Sequence, residues 1–138
     1  MPVIRSGSAF DLDRVEQIQA LSPDASHWPV RDYLGYRFDV AEQDGQVVGF
    51  VVWRRLVETE SEILNLAVVP ELRRSGIARA LLAPILMGGS NRVYLEVREA
   101  NQTARMFYKS MGFQEVNRRP KYYENPTDSA IVMVFHSC

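Results

Sequence analysis

The sequence predicts an α/β chain built on one mixed, mostly antiparallel sheet with helices on both faces. Three observations predict it. Between Tyr36 and Val69, three apolar-rich runs are bounded by turn residues, which reads as consecutive antiparallel strands. From Ser75 the apolar spacing becomes helical. A β–α–β unit follows, so antiparallel and parallel pairing must share one sheet. The 138 residues, 46% of them apolar and 24% charged, suit a single globular domain over 1–138.

Each element has a local reason. Pro2 to Ser6 is short and partly apolar through Val3 and Ile4, and reads as an opening strand. Asp11 is placed to cap a helix carrying Leu12, Val15, Ile18 and Leu21 on one side, with Ser22 and Pro23 as its stop. Pro29 suits the first turn of a short second helix holding Val30, Tyr33 and Leu34, which Gly35 ends. Tyr36 to Glu42 and Gln46 to Leu56 are strands around Asp44-Gly45, a type I′ hairpin pair. Glu60 to Val69 is a third strand, closed by Pro70, which holds Val69 extended. Ser75 to Met87 is a helix with Ile77, Leu81, Leu82, Ile85 and Leu86 on its apolar side. Pro84 removes one donor there and should kink or shorten it, and Gly88-Gly89 ends it. Arg92 to Val97 is a strand, Ala100 to Met111 a helix and Phe113 to Val116 a strand. Asn117 to Thr127 reads as a loop, and Ser129 to Phe135 as the last strand.

Composition excludes several classes. Sixteen Lys and Arg against seventeen Asp and Glu leave a net charge of −1. A dominant basic field for nucleic acid or membrane is therefore absent, which still allows a local patch. The single cysteine, Cys138, excludes an internal disulfide framework and a multi-cysteine zinc site, and fits a reducing cytosol. Two histidines with no carboxylate at helical spacing make no case for a metal. No run approaches the ~18 apolar residues of a membrane helix. Arg5, Asp11, Asp13 and Arg14 interrupt any signal-peptide core. The expectation is a soluble cytoplasmic protein, a monomer or weak homodimer, with no direct nucleic-acid or membrane partner.

The most informative segment runs from Leu64 to Arg79. A buried strand ending Leu66-Ala67-Val68 leads through a short basic loop into a helix whose first turn holds Gly76 and Ala78. The first N–H groups of a helix lack internal partners and, with the helix dipole, attract anions. Gly76 and Ala78 have almost no side chain, so a diphosphate can approach the backbone, and Arg73, Arg74 and Arg79 add positive charge. The competing reading is a helix start with a small residue for close packing beneath a solvated basic face. The Lys-Ser/Thr pair of a P-loop is missing, as is the Gly-x-Gly-x-x-Gly spacing of a dinucleotide fold. A diphosphate held without magnesium suits a carrier whose phosphates are a handle, and coenzyme A is such a carrier.

Arg73-x-x-Gly76-x-Ala78 after that strand resembles the acyl-CoA loop of the GCN5-related N-acetyltransferases, the GNAT family. The family pattern is Arg or Gln, two residues, Gly, one residue, then Gly or Ala. The likeness continues through Leu95-Glu96-Val97-Arg98, Asn101, Ala104, Phe107-Tyr108 and Gly112-Phe113. It extends through Arg118-Arg119, Tyr122-Tyr123, Pro126, Asp128, Ala130 and Met133, and looks most like the ribosomal-protein-alanine N-acetyltransferases, the RimI type. It is close from about Glu62 to Met133, whereas residues 1–60 match only in their order of elements. The resemblance implies an acyl-CoA N-acyltransferase fold, acetyl-CoA as donor without a metal, and direct attack by an amine in a ternary complex. It assigns Leu66, Ala67 and Val68 to the pantetheine amides, with the Val68 N–H polarising the thioester carbonyl. It assigns Arg73, Arg74, Ser75, Gly76, Ile77, Ala78 and Arg79 to the diphosphate, and Asn101 to a further coenzyme A contact. Two departures stand out. The helix holding Pro84 is about one turn shorter than the family's usual, and the segment around His27-Trp28-Pro29, where such enzymes shape the acceptor pocket, matches weakly.

Acetyl transfer to an amine needs a neutral amine, a stabilised carbonyl oxygen and a protonated or stabilised thiolate. Glu96 stands in an otherwise apolar strand end, where desolvation raises a carboxyl above about 4.3. An α-amine titrates near 7.7–8.0, so moving its proton to an unshifted Glu is uphill by about 5 kcal/mol, which burial shrinks. A lysine acceptor adds about 3.5 kcal/mol. The resemblance makes Glu96 the proton acceptor; the alternative is a carboxylate paired with Arg98 or capping the next helix. The resemblance makes Tyr108 the proton donor to the thiolate. A phenol near 10 stays protonated at pH 7, and Asn101 and Tyr108, at i and i+7, share a helix face. The alternative is a core tyrosine beside Phe107 and Met111.

Weaker candidates remain. Glu58, Glu60 and Glu62 alternate at a strand's start, either as a base acting through water or as an exposed edge. His27 is an acceptor contact or a plain loop residue, and His136 reads as surface. Arg118, Arg119, Lys121, Tyr122 and Tyr123 form the lip of the acceptor site or a surface hairpin, and net charge argues against an RNA contact. Terminal Cys138 is a poor covalent intermediate. The expected partner is a protein N-terminus, by resemblance the alanine of a small-subunit ribosomal protein. A small-molecule amine acetyltransferase and a non-catalytic acyl-CoA-binding regulatory module are the alternatives, and Glu96 with Tyr108 speaks against the last.

Overall fold

A computed structural model describes residues 2–22, 27–124 and 126–137. The helix stop expected at Pro23 and the terminal Cys138 lie outside the described residues. In chain order the elements are β1 (Val3–Ser6), α1 (Leu12–Ala20), a 3-10 segment (Val30–Gly35), β2 (Arg37–Gln43), β3 (Gln46–Val57) and β4 (Glu60–Val68). There follow α2 (Ile77–Leu86), β5 (Arg92–Arg98), α3 (Gln102–Ser110), β6 (Gln114–Tyr123) and β7 (Asp128–His136). Among the described residues, these strands make one sheet in the order β1-β2-β3-β4-β5-β7-β6. Every pairing is antiparallel except β4 with β5. The mixed, mostly antiparallel sheet read from the sequence is thus the one that forms.

Local chemistry accounts for much of this. Asp44 and Gly45 both adopt positive φ, 52° and 77°, as a type I′ hairpin requires. Helices cover both faces. Gly49 lies against Ile77 of α2, while its neighbour Phe50 meets the Tyr33 ring at 5.9 Å. Adjacent strand residues point to opposite faces, so α2 and the 3-10 segment lie on opposite sides. Val15 and Ile18 of α1, Leu81 and Leu82 of α2, and Val40, Phe50, Val51 and Val52 of the sheet are wholly buried. Burying one such side chain contributes about 1.5–3 kcal/mol.

Four expectations need correction. Leu21 lies past the end of α1 and is 50% exposed, so it leaves the apolar stripe. Asp11 does not cap α1 with its side chain. Its carboxylate instead accepts the Ser8 N–H and both terminal nitrogens of Arg5, and the strong Arg5 bonds hold its pKa below the usual range. The second helix is 3-10, with i→i+3 bonds at its two ends from Asp32 N–H to Pro29 O and from Tyr36 N–H to Tyr33 O. The expected loop over 117–127 is largely strand. β6 continues to Tyr123, with Asn117, Arg118 and Arg119 opposite Val132, Ile131 and Ala130. Pro120 is tolerated because β6 is an edge strand with a register shift between Arg119 and Tyr123. Lys121, at φ 54°, absorbs the irregularity.

One feature of the sheet positions the site. β4 and β5 pair only at Glu60–Arg92, Ser61–Val93 and Glu62–Tyr94. Beyond them the strands separate, although β4 stays paired to β3 and β5 to β7. The middle of the sheet therefore opens into a fork.

Candidate active site

One arm of the fork is the end of β4. The Val69 N–H donates to Val48 O at 2.9 Å, so strand alternation turns the N–H groups of Val68 and Leu66 into the fork. The Leu66 N–H is accepted by Asn65 Oδ1 at 3.0 Å. The Asn65 amide donates to the Tyr33 hydroxyl at 3.0 Å and to Gln19 Oε1 at 3.2 Å, tying this arm to α1 and the 3-10 segment.

β4 leads into the basic loop. Arg74 and Gly76 hold positive φ, 65° and 91°. These two left-handed residues turn the chain so that α2 starts with its amide end outward. The Ala80 N–H donates to Gly76 O at 3.0 Å, while the N–H groups of Ile77, Ala78 and Arg79 find no acceptor among the described residues. A Cβ at position 76 would meet nothing within 4 Å. The cradle is thus open, polar and unobstructed, and it fits a diphosphate. Ile77 lends its amide while its side chain stays in the core. Arg74 and Arg79 are exposed beside it. Arg73 is turned toward the end of α1, donating to Ser22 Oγ at 3.3 Å, and Ser75 Oγ donates to Leu72 O.

The other arm carries Glu96. Its side chain is 19% exposed, Oε1 lies 3.6 Å from an Arg119 terminal nitrogen, and Oε2 is buried without a hydrogen bond. Burial raises its pKa above the ordinary glutamate value, and the negative charge of Glu62 adds to this; Arg119 opposes it. Neither structural alternative for Glu96 holds. Arg98 instead donates to Glu124 O and Pro126 O at 3.0 and 2.9 Å and stacks on Tyr123 at 4.5 Å. The cap of α3 is Asn101, whose Oδ1 accepts the Ala104 N–H at 3.1 Å. That cap also corrects the face argument for Asn101: it stands before the helix, with its carbonyl oxygen engaged there.

Tyr108 is 9% exposed, its ring 5.3 Å from Phe107 and 5.5 Å from Phe113. Burial holds its phenol well above the ordinary value, with nearby Tyr123 adding to the effect. Its hydroxyl makes no hydrogen bond to another described residue. Tyr123 is itself pushed up to about 12, by burial first and then by Glu96. The β6–β7 hairpin therefore reaches Glu96, which favours the acceptor-lip reading of residues 118–123. Glu60 and Glu62 are held by Arg92 at 3.3 Å and Arg54 at 2.8 Å, and His27 and His136 are exposed. The Arg119–Glu96 contact was missed because it depends on cross-strand register, for which local sequence has no signal.

A fork in a mixed sheet, an amide cradle at one mouth and a sheltered carboxylate on the other arm are what an acyl-carrier site needs. A model of the acetyltransferase (GNAT) domain matches residues 34–115. The chain belongs to the GNAT acetyltransferase family. It is 37% identical to an uncharacterised N-acetyltransferase of Methanocaldococcus jannaschii, over 96% of this chain and 90% of that one. It is 29% identical to the ribosomal protein bS18-alanine N-acetyltransferase of Haemophilus influenzae, over 96% of this chain and 97% of that one. The crystal structure of Ard1 from Thermoplasma volcanium superposes with a TM-score of 0.88 at 31% identity, covering 99% of this chain and 98% of that one. The chain is thus an acetyltransferase enzyme of the GNAT fold, and the RimI-type likeness is shared with named relatives.

Proposed function

We propose that this GNAT enzyme takes an acetyl group from acetyl-CoA and delivers it to the N-terminal α-amine of a protein, by direct attack in a ternary complex. The acceptor we assign is the N-terminal alanine of a ribosomal protein, on the strength of the Haemophilus influenzae relative's stated activity. The observation that carries the chemistry is Glu96: a sheltered carboxylate at the mouth of the fork, with one oxygen unpartnered and a raised pKa.

When bound, the donor supplies an activated thioester. The amides of Ile77, Ala78 and Arg79 receive its diphosphate. The backbone of Leu66, Ala67 and Val68 aligns the pantetheine arm, and the Val68 N–H donates to the thioester oxygen. Glu96 takes a proton from the acceptor nitrogen. Its raised pKa narrows the ~5 kcal/mol gap to an α-amine, while a lysine would still face about 3.5 kcal/mol more. Burial keeps the Tyr108 phenol protonated, so it donates a hydrogen bond to the departing sulfur.

The test is acetyl-CoA turnover with peptides differing at the first residue, alongside a polyamine and a peptide with only an internal lysine. An alanine-first peptide should be preferred. Preference for the polyamine would make this a small-molecule enzyme. Calorimetric binding of acetyl-CoA without turnover of any amine would make it a regulatory module.

A further inference from the structure

Among the described residues Glu96 touches one cation, and that cation comes from a different part of the fold. Arg98, Ala130 and Arg119 form one cross-strand row, and Glu96 and Val132 belong to a neighbouring row on the same face. Arg119 must therefore reach across β7 to meet Glu96, and the small, fully buried Ala130 leaves the space. The contact is loose. At 3.6 Å it is longer than a hydrogen bond, and the Arg119 side chain is 53% exposed against 19% for Glu96. Arg119 sits on an edge strand beside the positive-φ residue Lys121, with its guanidinium over Tyr122 at 5.4 Å. Letting go leaves it stacked and solvated, at small cost.

We propose that Arg119 is a positioning residue that holds the Glu96 carboxylate before the acceptor binds and yields its place to the acceptor's ammonium. The proposal rests on Glu96 being the base. The exchange is cation for cation, so the carboxylate is not stripped of a counter-charge when the amine arrives. Once Arg119 has moved away, the carboxylate is more basic. The N–H bond of the ammonium breaks, an O–H bond forms on Glu96, and a neutral amine remains. The other groups facing Glu96 are Glu62 from β4, neutralised by Arg54 at 2.8 Å, and Tyr123 from β6, whose phenol stays protonated. From β7 it meets Val132. Arg119 is thus the cation that opposes the upward push on Glu96.

The experiment measures kcat and kcat/KM against pH for the parent enzyme and for Arg119→Gln, Arg119→Lys and Glu96→Gln, with acetyl-CoA and the best acceptor peptide. The acid limb of kcat/KM reports the free enzyme and that of kcat the bound complex. In Arg119→Gln the kcat/KM limb should move to higher pH by about 0.5 unit or more, while the kcat limb stays put. Arg119→Lys should restore the parent profile. If neither limb moves in Arg119→Gln, or if both move together, the displacement is wrong. Full turnover by Glu96→Gln would instead remove Glu96 as base, and this inference with it. An inactive Glu96→Gln beside an unmoved Arg119→Gln profile would overturn the inference alone.

Discussion

Gly49 of β3 lies directly beneath Ile77 of α2. A Cβ at position 49 would stand 3.3 Å from Ile77 Cγ2, 3.2 Å from Val68 Cγ2 and 3.1 Å from Ala67 O. Ile77 is the first residue of the helix whose amide end forms the cradle, and Val68 is the strand residue that turns its N–H into the fork. One missing side chain thus lets helix and strand approach each other at the place where the cradle meets the fork. Gly49→Ala should lower stability by about 1–3 kcal/mol, as overpacking does, and also weaken acetyl-CoA binding. Urea unfolding and calorimetry read the two effects separately. Lower stability with undiminished affinity would show that the helix start tolerates displacement.

At Gly76 the constraint is backbone conformation and not packing. A side chain there meets open space, but φ is 91°, which costs an L-residue roughly 1–2 kcal/mol. Gly76→Glu should therefore fold, and it should lose acetyl-CoA binding because bulk and negative charge enter the cradle. Retained affinity would mean the diphosphate lies elsewhere.

Glu96→Gln should lower kcat at least about tenfold with acetyl-CoA affinity nearly intact, since in the proposed mechanism the carboxylate acts on the amine and the cradle holds the donor. The parent's pH profile has a defined sign. Burial raises the folded-state pKa of Glu96 above the ordinary ~4.3, so the basic form appears only above the raised value. Activity should fall on acidification through a limb above about 4.3, and a limb at or below that value would contradict a sheltered base.

Tyr108→Phe removes one oxygen and keeps the ring between Phe107 and Phe113. Its melting temperature should stay close to the parent's while kcat drops about 10- to 100-fold. Unchanged kcat would make Tyr108 a core aromatic and leave the thiolate to another donor.

The expected loop over residues 117–127 shows where local composition misleads. Two prolines and a cluster of polar residues look like a loop, yet β7 offers an unpaired edge and β6 extends along it to Tyr123. Glu96 shows the same limit. Its strand and its sheltering were legible from Val93 to Val97, but the nearest cation by sequence, Arg98, is used by the hairpin carbonyls. Its partner is 23 positions away. Asn101 looked like a helix-face residue because spacing alone does not reveal where a helix begins.

Sequence by itself determined the features governed by neighbouring residues: the Asp44-Gly45 turn, the helical stripe from Ile77 to Leu86, and the small residues at 76 and 78 that leave a helix start bare. Backbone conformation and side-chain size decide these within a few residues. Tertiary structure alone decided the opening between β4 and β5, the glycine that seats α2 on the sheet, and the reach of Arg119 to Glu96. Those depend on which strands pair and in what register, and the energies that choose register are summed over contacts from the whole sheet.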